Sequence, residues 1–316
     1  MQTRLILFFL SLCSTLLLGQ TPDSVAPLLS SLLTDFPSVR DFTISATGDE
    51  AYFTAQSTLG ELSVIMRIDK HRKKWKTPGI ASFSGTYSDM EPFLSPGELR
   101  LYFASNRPLN TTSADTKDYD LWYVERESRD AQWSAPINLG SPVNSEQNEF
   151  YPSLTTSGNL YFTSDRPGSR GKDDIFYSAF KAGEYEPPIS LGESVNSEGY
   201  DFNAFVSADE SYLLFTGYNR EDGLGSGDLY LSFRNQQGEW SQAKNLGAEI
   251  NSRQMDYCPF VDGKSGVLYF TSRRSNVESK PGGFKSTTSF LAEINKHDNG
   301  QSRLYQIPAK TILVKE

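Results

Sequence analysis

Asn148–Phe180 reads NEFYPSLTTSGNLYFTSDRPGSRGKDDIFYSAF, and its pattern decides the fold. FYPSL and LYFTS are short extended runs joined by the Gly turn TTSGN. An Arg-Pro-Gly break follows, and an Asp then leads a third run, DIFYSAF. Runs of aromatic and β-branched residues separated by turn residues spell a three-stranded antiparallel meander.

The same unit recurs along the chain. Its second strand is the easiest to align: AYFTAQ (51–56), LYFASNR (101–107), LYFTSDR (160–166), LLFTGYNR (213–220) and LYFTSRR (268–274). The central Phe falls at 53, 103, 162, 215 and 270. A first strand precedes each copy (DFTISATGDE, EPFLSPGEL, YPSLTTSGN, NAFVSADES, CPFVDGKSG). A third follows (LSVIMRID, DLWYVERE, DIFYSAF, DLYLSFR and the weaker SFLAEI). A fourth carries an aromatic and often a Leu-Gly exit: WKTPGI, WSAPINLG, YEPPISLG, WSQAKNLG and RLYQIP.

A four-stranded unit repeated at this period is the signature of an all-β propeller. One twisted sheet cannot bury both its faces; stacking blades round an axis does so, and ring closure removes long exposed edges. Five blades are expected, over about 38–80, 81–139, 140–191, 192–246 and 247–308. A sixth would need residues 309–316, which supply at most one strand.

The chain has 316 residues and a net charge of −9, with 37% apolar and 22% charged residues. Residues 1–20, MQTRLILFFLSLCSTLLLGQ, read as a secretory signal peptide: one Arg, an apolar run from Leu5 to Leu18, and a small Gly19. The alternatives are an uncleaved anchor or lipidation at Cys13, where Leu12 stands in place of a small residue. No later stretch is apolar enough to span a bilayer. An acidic exported chain is a poor partner for nucleic acid or anionic lipid. After processing only Cys258 remains, so no internal disulfide is expected, and its apolar setting (YCPF) suits a small core residue. Residues 21–37 carry Val25, Leu28, Leu29, Leu32 and Leu33 at helical spacing and read as a short amphipathic helix covering the domain.

The units resemble the TolB-like, or PD40, WD40-like propeller repeat. The resemblance rests on Glu91-Pro92-Phe93-Leu94-Ser95 with Leu101-Tyr102-Phe103-Ala104-Ser105-Asn106-Arg107 and Asp120-Leu121-Trp122-Tyr123. It recurs in Tyr151-Pro152-Ser153-Leu154 with Leu160–Arg166 and Asp174-Ile175-Phe176-Tyr177, and covers about residues 38–295. The first unit departs from it, with Gln56 and Ser57 where the Ser-Asp-Arg should stand. The chain has no room for TolB's separate α/β domain. The resemblance implies a periplasmic or outer-membrane-associated scaffold, possibly secreted.

Three residues before the first-strand Pro lies an acidic column: Asp89, Glu149, Asp201 and Asp256, with Val39 in the first unit. Near the channel rim these acids would form a cation site or a set of general acids and bases. The competing reading is structural. Arg107, Arg166, Arg220 and Arg273 end the neighbouring second strands, and Asp120, Asp174 and Asp228 begin the third strands. An Arg fork tying these carboxylates would recur in each blade, whereas a site for one ligand would not. The aromatics Trp75, Trp133, Tyr185 and Trp240 read as blade packing. Long loops at 108–119 and 274–288 offer binding surface on the same face.

His71 and His297 are the only histidines, and no Walker loop, nucleophile elbow or CxxC is present. The expectation is a monomeric, non-enzymatic module with no cofactor and no metal that binds an envelope protein or glycan. The alternative is a glycosidase-like enzyme using the four column acids.

Overall fold

A computed structural model describes residues 24–110 and 116–313. The proposed signal peptide and Cys13 lie outside the described residues. The chain forms a five-bladed β-propeller of four-stranded antiparallel sheets.

The first, innermost strands are Ser38–Ile44, Asp89–Leu94, Glu149–Leu154, Tyr200–Val206 and Asp256–Asp262. The second strands hold the repeated Phe residues, and Phe53, Phe103, Phe162, Phe215 and Phe270 are all fully buried. Outer strands are minimal, two residues each, as at Ile137–Asn138 and Ile189–Ser190. Packing between sheets explains the outer aromatics. The Trp133 indole N–H donates to Tyr52 Oη of the preceding blade at 2.8 Å, and Trp240 meets Tyr161 edge-on at 6.1 Å.

The fifth blade corrects two expectations. Its third strand is Arg303–Pro308, paired along its whole length with Val267–Ser272, where a fourth strand was expected. SFLAEI, expected as that third strand, lies in the helix Thr287–Ile294, capped at Ser286 by reciprocal bonds with Ser289. The fourth strand comes from the other end of the chain. Ala26–Pro27 pairs with Gln306 and Tyr305, and the Leu28 N–H donates to Leu304 O at 2.9 Å.

The amphipathic helix expected over 21–37 is therefore, in its described part from residue 24, a strand followed by turns. Pro27 and the left-handed Leu29 (φ 53°) do not suit a helix, and the spaced leucines instead place Leu28 and Leu33 in the core. The sheet edge captures this segment because its unpaired backbone groups require partners.

Each first strand is bulged at one residue with positive φ: Asp41 (56°), Glu91 (61°), Tyr151 (49°), Asn203 (52°) and Cys258 (53°). The strand register shifts at each of these points. Non-glycine residues adopt this conformation at a cost of about 1 kcal/mol or more, so its repetition in five blades marks a geometric requirement of the axis.

Candidate functional site

Asp89, Glu149, Asp201 and Asp256 are fully buried within their own blades, each paired with an arginine. Arg107 Nη2 meets Asp89 Oδ1 at 2.5 Å, and Arg166 Nη2 meets Glu149 Oε1 at 2.8 Å. Arg220 Nη2 meets Asp201 Oδ1 at 2.5 Å, and Arg274 Nη2 meets Asp256 Oδ1 at 3.0 Å. Each guanidinium also donates to a carbonyl of the segment entering the blade: Phe83, Val143, Val195 or Ile250. It lies over the rings of the second and third strands, as Arg166 does over Phe162 at 5.0 Å and Phe176 at 5.4 Å. Burial raises the Glu149 carboxyl above its ordinary range, against the lowering effect of Ser145 and Arg166.

Two details differ from the sequence reading. In the fifth blade the partner is Arg274, not Arg273. Arg274 stands four residues after Phe270, the spacing of Arg107 after Phe103, while Arg273 lies over Tyr257 and donates to Ser302 Oγ at 3.2 Å. The third-strand aspartates also do not share the forks. Asp120 pairs with Lys117 at 2.6 Å, while Asp174 and Asp228 accept backbone N–H groups from their own loops.

A further repeat escaped the sequence reading although it is legible there: Val143-Asn144-Ser145, Val195-Asn196-Ser197 and Ile250-Asn251-Ser252. Each Asn brackets the N–H and C=O of one third-strand residue, and each Ser donates to the column acid.

The residues brought together at the axis are the bulge residues, two positions beyond the column. They differ in every blade: Asp41, Glu91, Tyr151, Asn203 and Cys258. Arg40 joins them from the first blade. Its Nε contacts Asp41 Oδ1 at 2.8 Å, and its Nη2 contacts Glu91 Oε1 at 2.6 Å and Cys258 Sγ at 3.4 Å.

Glu91 links four blades, because its Oε1 also accepts from Asn203 Nδ2 at 3.1 Å and its Oε2 from the Tyr151 N–H at 2.7 Å. The last contact has a local cause. At three of the other four junctions a second-strand Thr hydroxyl takes the next blade's bulge N–H: Thr54 for Glu91, Thr163 for Asn203 and Thr271 for Asp41, while Thr216, before Cys258, has a buried hydroxyl without a partner. The matching residue before Tyr151 is Ala104, and the carboxylate of Glu91 satisfies the orphaned donor.

Burial, with Asp41 nearby, raises the Glu91 carboxyl to about 7 despite Arg40. Burial also pushes the Cys258 thiol up, which makes it a poor nucleophile at neutral pH. Asp41 is 1% exposed, and its Oδ2 has no hydrogen-bond partner.

On one side of this polar ring, Phe93, Phe205 and Phe260 close the axis with ring separations of 5.3 and 6.2 Å. The residues that precede the bulges, Arg40, Met90, Phe150, Phe202 and Tyr257, make up a second set, the collar. Phe150, Phe202 and the adjacent Met255 are half-buried, packed against Tyr151, Tyr257 and Cys258. Among the described residues no group of three or more His, Cys, Asp or Glu is arranged to hold a metal ion, and no helix is long and apolar enough to cross a membrane.

No family model matches the chain, and no curated protein does. Solved structures resemble it in fold. The arabinofuranosidase PaAbf62A from Podospora anserina superposes with a TM-score of 0.50 at 10% identity, over 86% of this chain and 90% of that one. The catalytic domain of the GH62 arabinofuranosidase from Coprinopsis cinerea gives the same figures. TolB from Acinetobacter baumannii gives a TM-score of 0.48 at 12% identity, over 85% of this chain. The match spans about half of that protein, 54% of its length. At these identities the likeness is one of fold alone.

Proposed function

We propose that this chain is an exported, TolB-like propeller that binds another protein or a cell-envelope component and performs no catalysis. One observation carries the reading: the carboxylates that would have to react are already engaged. The column acids are each held by an arginine, and a single guanidinium bridges Asp41 and Glu91. A glycosidase needs two carboxyl groups flanking a sugar, one of them free to attack or to activate water. Export rests on the character of residues 1–20.

A second reading, a glycosidase, is favoured by Glu91. A carboxyl raised to about 7 at the axis of a propeller has the character of a general acid. Against it, the Glu91 carboxylate is already held by Arg40 at 2.6 Å. The deciding experiment is a pull-down of the mature chain from envelope extract beside a panel of aryl glycosides and arabinan oligosaccharides. A captured partner with no turnover supports the binding reading. Turnover without a partner overturns it.

A further inference from the structure

The tie repeats in four blades, but the side chains at the bulges do not, and a set that changes from blade to blade is free to serve one ligand. Once Glu91 is ionised, as at pH 8, the ring is also one positive charge short. Asp41 and Glu91 share the single cation Arg40, and Asp41 Oδ2 is buried without a donor. A buried carboxylate oxygen left unpaired costs stability, so a cation supplied from outside has a favourable place to bind.

Three of the collar residues are aromatic, and they pack with Cys258, which Arg40 also touches. Tyr257 already lies under the Arg40 guanidinium at 5.2 Å, and Phe150 and Phe202 are half-buried with it. Aromatic faces beside a carboxylate suit an ammonium group, which takes both the ring quadrupole and a charged hydrogen bond. Arg40, with its side chain 17% exposed, is where the cluster meets solvent. A metal ion is a poorer fit, because the remaining neighbours are an amide, a thiol, a phenol and a guanidinium rather than further oxyanions.

We propose that the channel mouth receives a monocationic ammonium group, from a lysine side chain or a free amino terminus, between the collar aromatics and Asp41. This deepens the binding reading by naming the chemistry that the partner presents. Arg40 plays the same part from within the chain and limits the affinity for the incoming group.

The test is a thermal-shift titration of the full mature chain with three probes at pH 8. They are Nα-acetyl-lysine amide, norleucine amide with its free α-amine, and the neutral Nα-acetyl-norleucine amide; calcium chloride forms a fourth arm. One or both amines are expected to raise Tm by about 2 °C at ten times Kd, and which amine does so identifies the source. The neutral probe and calcium are expected to leave Tm unchanged.

Asp41→Asn should abolish the shift, and Arg40→Gln, which leaves both acids uncompensated, should tighten binding about tenfold. Equal shifts from neutral and charged probes, a shift from calcium alone, or no shift from either amine would each overturn the proposal. So would Arg40→Gln weakening the amine. If the pull-down captures a partner while both amines fail, the ammonium site falls and the binding reading stands.

Discussion

Glu91 makes the stability of this propeller depend on pH in a direction opposite to that of most carboxylates. Its ordinary value is 4.5, and in the folded chain it is raised to about 7 by burial and by Asp41. Below about pH 4.5 the group is protonated in both states and contributes no pH dependence. As pH rises, the unfolded chain ionises first, so the fold loses stability progressively until about pH 7, above which the loss is complete. A difference of about 2.5 units corresponds to about 3 kcal/mol. For a chain of this size that is about 5 °C in Tm.

Glu91→Gln removes the titration. It also sets an amide where the carboxylate accepted from Arg40, Asn203 and the Tyr151 N–H, so the variant's absolute stability changes as well. The informative quantity is therefore the slope. Calorimetric Tm measured at half-unit steps from pH 4.5 to 7.5 should show a wild-type minus variant difference that shifts by about 5 °C against the wild type. Parallel profiles would refute the assignment of the raised carboxyl to Glu91.

Other residues give independent checks. Arg274→Ala strands the buried Asp256 and should cost about 3–5 kcal/mol in denaturant unfolding, whereas Arg273→Ala should cost about 1 kcal/mol or less. Removing residues 21–36 strips the closing strand and the buried Leu28 and Leu33; Tm should fall by more than about 5 °C, with self-association visible in size-exclusion chromatography. At Gly225 an added Cβ would lie 1.9 Å from the Gln254 carbonyl oxygen, so Gly225→Ala should destabilise by about 2 kcal/mol or more.

The blade repeat was legible because it is written in the backbone's own terms: alternating aromatics, turn glycines and a constant Phe. Ring closure was not, because the outer strand of the fifth blade is only Ala26–Pro27, too short to carry a periodicity. The leucines beside it mimic a helix because a turn through Leu29–Leu33 buries the same spacing. At the site, the tie was legible as a column and an arginine; the doubled Arg273-Arg274 misplaced one arginine, and Asp120, Asp174 and Asp228 bind their own loops rather than the forks. The axial ring was not legible. Its five side chains are two carboxylates, a phenol, an amide and a thiol, and what unites them is a positive φ at a bulge, which a sequence shows clearly only when glycine occupies the position.

The proposal assigns recognition to the axial ring and its collar and leaves the column acids to hold the blades together. Pull-down from envelope extract with three baits tests it: wild type, Phe202→Ala in the collar, and Glu149→Gln in the tie, each used at a temperature where circular dichroism shows it folded. Wild type and Glu149→Gln should capture the same partner in similar yield, and Phe202→Ala should lose it. Retention by Phe202→Ala together with loss by a folded Glu149→Gln would contradict the claim.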